Sequence, residues 1–119
     1  MLMRQVSGVE DVKAILVLNP AEPPVMMRTT INVTADHFDL DTARSNARSI
    51  VMEVQKHVPG FELVVEPYKL SADTVTATVK VTGAGYVLPE YAGNLDIINS
   101  AAVETAVLHS DMARLVRNK

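Results

Sequence analysis

The sequence contains no cysteine, which excludes disulfides, thiolate metal sites and a cysteine nucleophile within its 119 residues. It also lacks tryptophan, and only 4% of its residues are aromatic although 48% are hydrophobic. The core must therefore be aliphatic, built from Val, Ile, Leu, Ala and Met. No apolar run approaches the roughly 20 residues of a membrane-spanning helix. The opening Met1-Leu2-Met3-Arg4 has no signal-type hydrophobic region. Charge of one sign is missing too: 11 basic and 14 acidic residues give a net charge of −3. The basic residues are scattered, without the clustered footprint that nucleic acid requires or the polybasic patch that an anionic membrane requires. These absences predict a cytoplasmic protein with neither partner.

What remains is the size of one domain, 1–119, long enough to bury a single core. Residues 12–18 (VKAILVL) form a short, nearly continuous apolar run closed by Asn19-Pro20, the pattern of a strand covered on both faces. Pro20, Pro23 and Pro24 make the following stretch, 19–28, a stiff loop. Residues 29–34 (TTINVT) read as a second strand. Residues 40–58 carry apolar positions at helical spacing, with Asp39 or Asp41 as cap and Pro59-Gly60 as stop. Residues 61–70 read as a third strand whose far end Pro67 confines to an edge or a bulge. Residues 73–82 alternate valine or alanine with threonine or lysine, the cleanest strand of the chain. The short link 70–73 suits a hairpin. After a second irregular stretch, 83–93, residues 95–117 return to helical period with Asn94 as a natural N-cap.

The order β-β-α-β-β-α predicts an α+β two-layer sandwich. It has a mostly antiparallel sheet of about four strands and two helices on one face. The threonine-rich face would then meet water or a second subunit.

Few chemical motifs stand out. Gly83-Ala84-Gly85 begins like a dinucleotide fingerprint but has no third glycine and no helix opening behind it. His37, His57 and His109 match no metal-ligand spacing, so no metal site is expected. Glu22, Glu90 and Asp96 lie in or beside the irregular stretches, where a carboxylate pair could do acid–base work, though solvated loop charges are commoner. Ser110, His109 and Asp111 are helix neighbours that cannot face one another as a triad.

Two loop motifs carry a family resemblance. Residues 18–24 (LNPAEPP), followed by Met26-Met27-Arg28, and residues 88–97 (LPEYAGNLDI) resemble acetylating acetaldehyde dehydrogenase, the bacterial partner of a 4-hydroxy-2-oxovalerate aldolase. Val58-Pro59-Gly60 is similar as well. The resemblance covers nearly the whole chain and implies the enzyme's C-terminal domain. That domain is like the C-terminal domain of glyceraldehyde-3-phosphate dehydrogenase, and it dimerises and covers the active site.

The family's reaction oxidises acetaldehyde with NAD through a cysteine thioester and passes the acyl group to coenzyme A. It is covalent catalysis by a thiolate. By the same resemblance, the NAD-binding Rossmann domain and the nucleophilic cysteine lie outside this sequence. Thr29 stands where the family carries an assisting aspartate, and the stretch between the last two strands is shorter. Asn94 resembles the family's asparagine near the nicotinamide and is the one cofactor-binding candidate; no catalytic residue is assigned.

The expected role is a dimerisation and substrate domain, inactive alone, forming a homodimer through its sheet face. A Rossmann-domain partner or the aldolase would be further partners. The alternatives are a free-standing, non-catalytic interaction module or a small-molecule binding domain built on loops 19–28 and 83–94. Met1 at the start and Thr29 favour a free-standing product over a piece of a longer enzyme.

Overall fold

A computed structural model describes Gln5 and residues 7–117, with side chains through Arg114. The reading of the N-terminal tetrad lies outside the described residues. The elements are β1 (Met27–Thr34), α1 (Leu40–Gln55), β2 (Phe61–Lys69), β3 (Thr74–Val81), a 3-10 turn (Glu90–Ala92) and α2 (Gly93–Arg117).

The sheet is antiparallel with strand order β1-β3-β2. The cleanest alternating sequence thus became the central strand, and the strand containing Pro67 took an edge. Pro67 has no N–H to donate, and β2 bulges between Val65 and Tyr68 around it. A second bulge between Leu63 and Val65 breaks the expected alternation. Leu63 pairs with Val79, but Val65 pairs with Thr78, on the other face of the sheet. Residues 70–73 close the β2–β3 hairpin, with the Leu70 amide donating to the Thr74 carbonyl at 2.9 Å.

The register gives the sheet two chemically distinct faces. Val75, Ala77, Val79 and Val81 share one face with Thr29, Ile31 and Val33 of β1. The other face carries a threonine ladder, with Thr30 to Thr78 hydroxyls 3.2 Å apart and Thr34 to Thr74 hydroxyls 3.5 Å apart.

Helix α1 starts where the Asp39 carboxylate accepts from the Asp41 and Thr42 amides and from the Thr42 hydroxyl. Its less exposed positions, Ala43, Arg44, Ala47, Val51, Val54 and Gln55, recur at three- and four-residue spacing and lead to the buried Val58. This stripe lies along β2. Arg44 Nε donates to the Pro67 carbonyl at 3.0 Å, and Gln55 Nε2 to the Phe61 carbonyl at 2.8 Å. Arg48 forms a two-pronged pair with Glu66, at 2.8 and 2.9 Å. Lys69 shares a face with Val75 by register, and its ammonium lies 5.4 Å from the Phe38 ring just before α1. The helix therefore covers the valine face on its β2 side.

Two expectations fail. The fourth strand is absent among the described residues: residues 12–18 are irregular, and Ile15, Leu16, Val17 and Leu18 are 74–86% exposed. An apolar run becomes a buried strand only when a neighbouring strand takes its amides and a layer covers its side chains, and neither meets it here. The second helix does not share the sheet with the first. α2 meets β3 at its opening turn, and Val103, Val107, Leu108 and Met112 along it are exposed. The β1 half of the valine face is consequently open, with Ile31 and Val33 about half exposed.

The totals agree with these gaps. The accessible surface is 9598 Å², whereas a compact monomer of this mass exposes roughly 6300 Å². The radius of gyration is 17.1 Å, against about 13.5 Å for a compact chain of this length. Among the described residues, no helix is long and apolar enough to cross a membrane.

Candidate functional site

One end of the sheet gathers the motifs singled out in the sequence. Met27 and Phe61 both pair with Val81, so β1 begins, β2 begins and β3 ends in one row. The proline loop enters this end, and residues 82–92 leave from it. Helix α2 opens against it at Gly93, where an added Cβ would stand 2.5 Å from the Val81 carbonyl oxygen. Glycine is required there because backbone meets backbone. Val81, 1% exposed, is the most buried large side chain and the pivot of this end.

The turn after β3 is held by acceptors on the segment that follows. The Gly83 amide donates to the Glu90 carbonyl at 2.7 Å, and the Ala84 amide to Asp96 Oδ2 at 2.6 Å. Gly83 is buried between these groups: a Cβ would lie 3.0 Å from Asp96 Oδ2 and 3.1 Å from the Glu90 oxygen. Gly85 adopts φ +72, the left-handed region that favours glycine. Asp96 thus clamps the turn to the first turn of α2. Sequence reasoning offered it as a possible acid–base carboxylate and missed the clamp. The available signal was an acidic residue one helical turn in, just behind a glycine-rich turn.

Asn94 is exposed, in the first turn of a helix that starts at Gly93, so it does not serve as the expected N-cap. Thr29 is the third residue of β1, opposite Val79. Both lie at this end of the sheet. Glu22 is exposed in the proline loop, whose Asn19 Oδ1 accepts from the Ala21 amide at 3.1 Å. The acid–base reading gains no carboxylate pair: Asp96 is engaged as an acceptor and the Glu90 side chain lies against Gly85. Tyr86 and Val87, at the tip of the turn, are 93% exposed.

The arrangement does not suit a dinucleotide pyrophosphate. Such a group needs a glycine turn running straight into a free helix N-terminus. Here seven residues separate Gly85 from α2, and Asp96 and Glu90 place negative charge beside its start. Two open grooves lie elsewhere on the described residues. One lies along α1 and β2, lined by Arg44, Arg48 and Glu66 among others; the other lies between the α1 exit and α2. In the second, His57 Nδ1 is 3.4 Å from Glu104 Oε2. Neither groove is lined by residues of loops 19–28 or 83–94.

Comparison with known proteins settles the family. Residues 2–89 match the family described as "Prokaryotic acetaldehyde dehydrogenase, dimerisation". The chain belongs to this acetaldehyde dehydrogenase dimerisation family.

The chain is similar to the acetaldehyde dehydrogenase of Burkholderia thailandensis, with 47% identity over 113 residues, 95% of this chain and 38% of that protein. The enzyme of Pectobacterium atrosepticum is 43% identical over 110 residues, 92% of this chain and 37% of that protein. The enzyme of Stutzerimonas stutzeri is 42% identical over 110 residues, 92% of this chain and 36% of that protein. The dimerisation-family chain thus spans a little over a third of the length of these relatives. The family match includes the whole sheet and α1 and stops before α2.

Proposed function

We propose that this chain is the dimerisation and substrate domain of an acetylating acetaldehyde dehydrogenase. It would act in the cytoplasm as a homodimer, inactive alone. The observation that carries the reading is the 47% identity over 95% of the chain to an acetaldehyde dehydrogenase of which it covers 38%. The overall reaction would convert acetaldehyde, NAD and coenzyme A to acetyl-CoA, NADH and a proton. These 119 residues hold no thiol, so the nucleophile would come from an NAD-binding Rossmann domain, of the same protein or of a partner. The dinucleotide misfit at Gly83-Ala84-Gly85 supports that division of labour. This chain's contribution is the sheet end built on Val81 and Gly93, with Asn94 the residue that faces the nicotinamide. Thr29, lacking a carboxylate, lowers the rate and leaves cofactor affinity unchanged. An aldolase that supplies the aldehyde is a further partner.

The test is complementation. The NAD-binding half of a relative, with its cysteine, is mixed with this chain, and NADH formation from acetaldehyde is followed with and without coenzyme A. CoA-dependent NADH formation that needs both parts is expected, rising when Thr29→Asp is introduced. A mixture that forms a stable complex yet makes no NADH overturns the enzymatic reading in favour of a non-catalytic interaction module.

A further inference from the structure

We infer that residues 12–18 of one copy add as a strand to the free outer edge of β1 in a second copy, so that the dimer exchanges strands reciprocally. The inference rests on the dimerisation reading above and specifies its surface.

Four observations meet. The outer edge of β1 has no strand on it, because the order β1-β3-β2 ends there. An eight-residue edge with unpaired amides and carbonyls is a template for another extended segment. Beside that edge, Ile31 and Val33 stand about half exposed on the uncovered part of the valine face. The chain also owns a seven-residue segment of similar length and strand-like composition, VKAILVL, that is irregular, with residues 13–18 exposed.

The segment does not take its own β1. Only residues 19–26 separate the two, and Pro20, Pro23 and Pro24 stiffen this link with fixed φ and no amide donor. A second copy offers the same edge without that constraint. Two-fold symmetry makes the exchange self-complementary: each copy gives one strand and receives one. Alternate side chains of the added strand would extend the valine face past Ile31 and Val33.

Area decides whether a dimer is affordable physically. The chain exposes 9598 Å², about 3300 Å² more than a compact monomer of its mass. An obligate homodimer buries about 2000–5000 Å² in total. The surplus of two copies is sufficient.

The experiment measures the solution mass of the full chain across a concentration series, with Val17→Pro, Thr30→Lys and Val107→Glu as variants. Proline at position 17 removes a strand amide from a segment that is irregular in the single copy, so the fold of residues 27–81 is unaffected, as circular dichroism will check. The expected result is a dimer whose dissociation constant rises at least about ten-fold in Val17→Pro. Hydrogen exchange should show alternate amides of residues 15–18, those facing β1, protected in the dimer and unprotected on dilution. A monomeric parent, or a dimer that Val17→Pro leaves equally tight, overturns the inference. So does a dimer lost only on Thr30→Lys, which assigns the threonine face, or only on Val107→Glu, which assigns α2. Complementation with an unweakened Val17→Pro dimer would sink this inference alone. Strand exchange without complementation would sink the enzymatic reading alone.

Discussion

Residues 27–81 and residues 93–117 differ in how their apolar groups are used. In the first region every element has a neighbour: β3 lies between two strands, and α1 is tied to β2 by Arg44, Arg48 and Gln55. In the second, a 25-residue helix is held by its opening turn and by Glu104 beside His57, and leaves Val103, Val107, Leu108 and Met112 exposed. Helix propensity and length sustain α2, whereas mutual burial sustains the sheet and α1. The family match, residues 2–89, takes in this packed region together with the exposed stretch before it and stops before the helix.

Two glycines sharpen the contrast, one at a joint of each region. The largest effect is expected at Gly60, between α1 and β2. An added Cβ would lie 1.8 Å from the Thr82 carbonyl oxygen, and that backbone can retreat only by breaking the 2.9 Å bond from the Thr82 amide to the Gly60 carbonyl. Gly60→Ala should cost about 3 kcal/mol, near the upper end for overpacking, and lower the urea midpoint of the sheet and α1 together. Unchanged unfolding would show that the α1–β2 joint is loose.

Gly93→Ala comes next. Alanine favours a helix over glycine by about 1 kcal/mol, but its Cβ would meet the Val81 oxygen at 2.5 Å and Val81 Cγ1 at 2.8 Å. The clash outweighs the propensity, because neither neighbour is the flexible end of a side chain. A loss of about 1–2 kcal/mol is expected, confined to the docking of α2. Hydrogen exchange should quicken in residues 82–100 while β3 amides stay protected. Equal quickening in β3 would mean that the two regions unfold as one unit.

The same contrast explains what could be read from the sequence. β3 was legible because alternation without a breaker dictates a central strand, and Pro67 told the edge. α1 was legible because its apolar residues occupy one stripe. Residues 12–18 were misread because hydrophobicity states that a segment seeks burial and not where the cover comes from. α2 is apolar on several sides, with Ile97, Val103 and Val107 beside Leu95, Ile98 and Leu108, so its period could not say which flank meets the sheet. At the candidate site, the loop motifs carried the family. The Asp96 clamp depends on a contact across twelve residues that no local pattern encodes.

The smallest effect concerns acid and again lies in the packed region. Asp39 is held below its ordinary value of 3.8, first by the Thr42 hydroxyl and then by the Thr42 and Asp41 amides. Asp73, in the β2–β3 turn, is likewise lowered, first by the Ser71 hydroxyl and then by that of Thr74. All these donors prefer the ionised carboxylate. In the unfolded chain both groups return to 3.8, so around and just below that pH the unfolded state binds more protons than the folded one. Their stabilisation is fully present above 3.8 and is lost as pH falls through the lower folded values. Asp39→Asn keeps an N-cap acceptor and removes the titration. Its urea midpoint should equal the parent's at neutral pH, yet fall less steeply as pH drops below 3.8. Both carboxylates are solvent-exposed, so the difference in slope is small. Parallel acid limbs for parent and variant would show that the cap carries no pH-dependent stability, leaving packing alone to distinguish residues 27–81 from α2.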